Sequence, residues 1–150
     1  MHKITPFLWF DGQAEEAMHF YVSIFRNSRV VAVTPGPDGR ALSVSFELEG
    51  QPFHALNGGP HFTFTPAISL FVSCESQQEV DDLWEKLSDG GSQEPCGWLR
   101  DRYGLSWQII PTALGRLMGD PDRAKAARVM NAMLQMKKIE ISGLERAAAG

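Results

Sequence analysis

The chain has 150 residues, of which 43% are hydrophobic and 21% charged, enough apolar material for one substantial core. A formal net charge of −4 with no run of Lys or Arg argues against a phosphate-binding surface, and so against nucleic acid as a partner. The start, MHKITPFLWF, lacks the apolar stretch of a signal peptide, and no apolar run reaches the ~20 residues of a membrane span, so the chain reads as cytoplasmic with no membrane partner.

In chain order, residues 4–10 are an apolar run of strand length, with Pro6 marking an edge or irregular position. Residues 12–25 then carry Ala14, Ala17, Met18, Tyr21, Ile24 and Phe25 at spacings of three and four, the stripe of a helix with one buried face, and Asp11 is placed to cap it. Three extended runs follow, 29–34, 41–49 and 51–57, separated by PGPDGR and by a tight turn at Glu49-Gly50. The order is βαβββ.

After the loop GGPHFTF the pattern restarts. Residues 67–74 form another strand-length run, Ser76 and Glu79 make a capping box, and Val80, Leu83, Trp84 and Leu87 form the stripe of a second helix that Gly90-Gly91 ends. A short run at 92–94 leads to a hairpin over 97–111, in which Asp101 sits at an Asx turn and Gly104 where a positive φ is needed. The second βαβββ thus lies 63 to 64 residues after the first (4 to 67, 10 to 74). On the last strand Ser106, Gln108 and Ile110 share one face and Leu105, Trp107 and Ile109 the other, which leaves the Gln108 amide among large apolar neighbours.

The two cysteines, Cys74 and Cys96, have no metal-finger spacing and read as small buried or half-buried thiols. Asp120-Pro121 reads as a cap with proline in the first turn of a tail helix, whose seam of Ala126, Val129, Met130, Met133 and Leu134 needs a surface, either its own sheet or a second subunit. Residues 137–141 read as a short strand or turn, and 147–150 as a frayed end.

The duplicated order, the FDGQAEEAMHFYVSIF start, the HALNGGPHFTFTPAISLFV middle and the DRYGLSWQIIP end resemble the glyoxalase/bleomycin-resistance group, the vicinal-oxygen-chelate superfamily. They are most similar to its PhnB-like branch, often labelled 3-demethylubiquinone-9 3-methyltransferase, over residues 4 to about 142. The resemblance implies an α+β fold, one domain over 1–150, in which βαβββ modules at 4–57 and 67–110 form a curved mixed-sheet cup around a ligand, with a helical extension at 112–150. It also implies a homodimer.

In such proteins a divalent metal is held by His or Glu from four strands. Those positions fall here near Ile4, within 53–57, near Ala67 and on Gln108, and the three that can be named are neither His nor carboxylate. Within 53–57 strict alternation puts Phe53, Ala55 and Asn57 on one face and His54 on the other, with the face that lines the cup left open. One amide and one imidazole make a poor catalytic site, so no metal ligand and no cofactor are assigned; a divalent ion on Gln108 with His54 or His61 is the weaker reading.

Three functions follow. The first is a metal-free small-molecule-binding protein, with Gln108, Asn57, His54, Ser69 and Trp98 as candidate ligand-binding residues. The second is a metal-dependent lyase, isomerase or dioxygenase of the same superfamily, for which the sequence offers no acid–base pair. The third is the methyltransferase of the branch label, which lacks support from any glycine-rich strand-to-helix loop for an adenosyl cofactor.

Overall fold

The computed structural model describes residues 2–150. The chain divides into two compact units, one ending at Phe64 and one running from Thr65 to Gly150, each built on a four-stranded sheet.

Module one contains β1 (Phe7–Phe10), α1 (Ala14–Ile24), β2 (Arg29–Pro35), β3 (Ala41–Leu48) and β4 (Gln51–Asn57), with sheet order β1-β4-β3-β2. β1 runs parallel to β4, and the β4–β3 and β3–β2 pairs are antiparallel. The β3–β4 hairpin closes on Glu49 and Gly50, both at positive φ (49° and 79°), the combination that matches a two-residue turn to the twist of its strands. α1 buries Ala14, Ala17, Met18 and Tyr21 on the sheet face formed by Val44, Phe46, Phe53 and Ala55. Phe46 and Phe53 stack on that face at 5.4 Å between ring centroids.

The helix cap differs from the sequence expectation. Asp11 does not supply it; the free N–H of Ala14 donates to Asn57 Oδ1 at 2.8 Å, so the end of β4 caps α1 from across the fold. The Asn57 Nδ2 donates in turn to the Ala41 carbonyl at 2.9 Å. Beyond it, a Cβ on Gly58 would overlap the Trp9 indole, whose Nε1 donates to the Gly59 carbonyl at 2.9 Å, so this loop needs its glycines.

Module two repeats the plan with β5 (Ser69–Cys74), α2 (Gln77–Ser88), β6 (Ser92–Gln93), β7 (Trp98–Arg100) and β8 (Ser106–Pro111), in order β5-β8-β7-β6. Again the first and last strands are parallel and the others antiparallel. The Glu79 N–H donates to Ser76 Oγ at 3.2 Å, while the Glu79 carboxylate accepts from the Glu75 N–H at 2.8 Å, one residue before the expected capping-box partner. Val80, Leu83, Trp84 and Leu87 are buried, as are Leu99, Trp107 and Ile109 of the sheet on which α2 packs. Both edge strands next to the helices start later than the sequence patterns indicate: Ile4 and Ile68 precede β1 and β5 and are 86% and 71% exposed.

The β7–β8 turn is organised by Asp101, which is buried. Its Oδ1 accepts from the Tyr103 and Leu105 N–H groups at 2.9 and 3.1 Å, and its Oδ2 accepts from Trp107 Nε1 at 2.9 Å. The sequence shows the Asx turn; the indole contact adds a charge-assisted bond that ties turn to core. At the end of β5, Cys74 is a free, buried thiol pushed up to about 12 by burial, and further by the nearby carboxylates of Glu79 and Glu75.

β8 leads directly into α3 (Thr112–Met118), followed by α4 (Arg123–Leu134) and α5 (Ile141–Ala149). Ile110, Leu114, Leu117, Val129, Ile139, Leu144 and Ala148 form a second core around which these helices pack. Two expectations change here. The α4 cap is Asp122, whose carboxylate accepts from the Ala124 and Lys125 N–H groups at 3.1 and 3.2 Å, whereas Asp120 Oδ1 accepts from the Asp122 N–H at 2.8 Å. Residues 147–150 are not frayed: Ala148 is buried, and Arg128 donates to the carbonyls of Ala147 and Ala148, the open C-terminal acceptors of α5, at 2.9 Å each. The α4 seam docks on its own module through Ala126 and Val129, while Met130 and Leu134 stay exposed. Gln77 fastens this tail to α2, accepting from the Ile141 N–H at 2.7 Å and donating to the Ile139 carbonyl at 3.0 Å.

Candidate ligand-binding site

Each sheet has one face under its helix and one face free of it, and the register determines which side chains share the free face. In module two, Phe71 of β5, Gln108 of β8 and Trp98 of β7 are direct cross-strand partners and form one row. Gln108 Nε2 donates to Ser69 Oγ at 2.9 Å, which orients the amide; its Oε1 has no partner among the described residues. Next along β8, the Ser106 hydroxyl, paired in register with Ser69, is buried with no hydrogen-bond partner among the described residues.

This row is the floor of a cavity of about 690 Å³, within the range of small-molecule sites. Phe71, Trp98 and Ile110 supply its sheet side, and Leu114, Met118 and Met133 of α3 and α4 supply a wall. Ser73, Cys96, Thr112 and Gln108 are its polar groups, and Arg116 is its one charged residue. Trp98 is among the candidates by its place beside the turn, and sequence alternation identifies Gln108. It does not identify Phe71, although Ser69, Phe71 and Ser73 alternate toward the same face, and it gives no sign of Arg116, Met118 or Met133, because the tail shows only that it needs a surface.

Module one places His54 at the position equivalent to Gln108, opposite Phe7 of the first strand just as Gln108 is opposite Phe71. Its Nδ1 lies 2.9 Å from Ser45 Oγ and its ring centroid 6.0 Å from that of Phe7, on the face away from α1. That resolves the alternation left open by the sequence. Phe53 and Ala55 are buried under α1, and Asn57 spends both ends of its amide on backbone groups. His61 is exposed in the loop that follows. A wider cleft of about 920 Å³ beside the start of α1 is lined by Asp11, Glu15, Glu16, Asp38 and Arg40 together with Pro37, Ala41 and Leu42, a more polar lining than that of the module-two cavity.

A resident divalent metal does not fit this donor set. At the free-face positions of the first and last strands, module one offers Phe7 and His54 and module two offers Phe71 and Gln108, so neither module brings more than one donor there. Among the described residues no three His, Cys, Asp or Glu side chains are grouped to hold a metal ion.

The comparisons with known proteins agree with this architecture. The model of the 3-demethylubiquinone-9 3-methyltransferase family matches residues 2–110. The chain belongs to that family. The PhnB protein of Bacillus cereus, which carries the same methyltransferase label, is 38% identical, with a TM-score of 0.67 over 73% of this chain and 99% of its own. Protein PA1353 of Pseudomonas aeruginosa gives a TM-score of 0.61 at 19% identity, over 73% of this chain and 96% of its own. The fosfomycin resistance protein FosX of Listeria monocytogenes, solved with Mn(II) and sulfate, gives 0.54 at 16% identity over 71% and 90%, which shows a shared fold. No curated protein matches the sequence. The family match ends at residue 110, so α3, α4 and α5 lie outside it.

Proposed function

We propose that this protein binds a small organic molecule on the free face of module two, without a metal, and that it does so in the cytoplasm as a homodimer. The observation that carries the reading is the Phe71–Gln108–Trp98 row under a largely apolar cavity of about 690 Å³, with the Gln108 amide nitrogen held by Ser69 and its oxygen without a partner among the described residues. An apolar enclosure with a few placed polar groups is the general design of a small-molecule site, and an oriented amide supplies direction without charge. Dimerisation is supported by Met130 and Leu134, exposed apolar residues of α4 at 44% and 51%.

Native mass spectrometry of the purified protein, followed by release and identification of bound species, tests the reading. A co-purified organic molecule lost on Gln108→Ala is the expected result. A near-stoichiometric transition metal in the wild type, or a melting temperature lowered several degrees by a chelator, contradicts it. For the dimer, sedimentation of Leu134→Glu beside the wild type should give a monomer against a dimer; monomer for both removes that part of the proposal.

A further inference from the structure

The cavity has a charge asymmetry that the rest of the chain does not share. The protein is acidic, with 18 Asp and Glu against 14 Lys and Arg, yet among the described residues no carboxylate lines the cavity and Arg116 is its one charged side chain. Arg116 is exposed and makes no ion pair or hydrogen bond among the described residues, so its donors are open to a ligand. Arg116 stands on α3, one turn from Thr112, and lines the cavity together with Leu114, Met118 and Met133, with Phe71 and Trp98 on the sheet side. A cation with open donors beside apolar walls matches a ligand that is apolar along its body and anionic at one end.

We infer that the module-two cavity selects amphipathic monoanions, an aromatic or aliphatic carboxylate whose body lies between Phe71, Trp98, Met118 and Met133 and whose carboxylate pairs with Arg116. This inference rests on the proposed binding at that site and names its ligand class. The Gln108 amide meets a polar group along the ligand body, and Arg116 fixes the end. Because α3 and α4 lie beyond the residues matched by the family model, the selectivity is a property of this chain's tail rather than of the βαβββ frame. The frame supplies the floor and the tail supplies the reader.

The test uses a matched pair of probes, 2-naphthoate and 2-naphthalenemethanol, titrated calorimetrically into the full-length protein, wild type and with Arg116→Gln, Arg116→Lys or Gln108→Ala. The wild type should bind the carboxylate about tenfold more tightly than the alcohol, and that preference should shrink as salt is raised. Arg116→Gln should remove the preference while leaving the alcohol within about twofold, Arg116→Lys should keep most of it, and Gln108→Ala should weaken both probes alike. Equal wild-type binding of acid and alcohol overturns the anion inference and leaves the binding reading standing. A preference that survives Arg116→Gln overturns the assignment to Arg116. Failure of both probes to bind overturns the inference together with the reading on which it rests.

Discussion

The two modules share a frame and differ in what covers its free face. Both put a Phe of the first strand opposite a hydrogen-bonding side chain of the last: Phe7 with His54 in one, Phe71 with Gln108 in the other. Both anchor that side chain with a serine hydroxyl at 2.9 Å, Ser45 and Ser69. In module one His54 is exposed, while in module two the tail helices rise beside the equivalent row and leave Gln108 and Trp98 half-buried; Phe7 and Phe71 are exposed alike. The difference teaches that the repeat provides two equivalent positions and that an addition outside it gives one of them a wall.

The comparison can be broken or sharpened by substitution, beginning with the largest expected effect. The last hairpins of the modules close differently: Glu49-Gly50 by backbone conformation, the β7–β8 turn by a buried carboxylate bonded to two backbone N–H groups and an indole. Asp101→Ala should therefore cost about 4 kcal/mol in urea unfolding, since it orphans a buried indole N–H and two turn donors. Glu49→Gly, at a positive-φ position with no comparable carboxylate role, should change stability by less than about 1 kcal/mol. If both cost the same, the turns do not differ as described.

The tail is a structural part of module two, held by its own core. Leu144→Ala, which empties a fully buried position among Ile110, Val129 and Ile139, should cost about 3 kcal/mol and should lower probe affinity with it. A loss of stability under about 0.5 kcal/mol would mean that the tail is loosely attached and cannot be a cavity wall.

Alkaline stability provides a smaller test. The Cys74 thiol is raised to about 12 when folded against a reference of 9.0, so the folded state holds its proton where the unfolded chain gives it up. Stability from this group is complete below pH 9 and is lost as pH rises toward 12. Cys74→Ala should flatten that part of the stability profile, and the wild-type thiol should resist thiol reagents until the protein unfolds. An unchanged profile, or rapid labelling of Cys74 in the native protein, would contradict the buried placement.

The smallest effect on stability belongs to Gln108. Among the described residues its amide hydrogen-bonds only Ser69, so Gln108→Ala should change unfolding by under about 1 kcal/mol, while organic-molecule binding falls about tenfold. His54→Ala in module one should leave that binding unchanged. A binding loss from His54→Ala equal to that from Gln108→Ala would mean that the two free faces are used alike.

Much of the frame is legible in the sequence because it rests on local periodicity. The α2 stripe, the Ser76–Glu79 cap, the turn at Glu49-Gly50 and the alternation around Gln108 each arise within a few residues of chain. What escapes the sequence is long-range. Asn57 resembles a ligand-orienting amide at a strand end, but its partners are the Ala14 N–H and the Ala41 carbonyl, 43 and 16 residues away. The cavity wall depends on α3 following β8 at Pro111 without a linker, so that Leu114, Arg116 and Met118 come beside Phe71 and Trp98. The apolar seam of α4 is visible as a pattern, but its partner is not, because periodicity states that a face is buried and not against what.

The most direct measurement is a residue-resolved NMR titration of the full-length protein with 2-naphthoate. The account predicts amide and side-chain shifts confined to the module-two cavity, at Phe71, Trp98, Gln108, Arg116 and Met133, with Phe7, Ser45 and His54 of module one unmoved. Shifts centred on His54 and Phe7, or on the cleft beside Glu15 and Arg40, would contradict it.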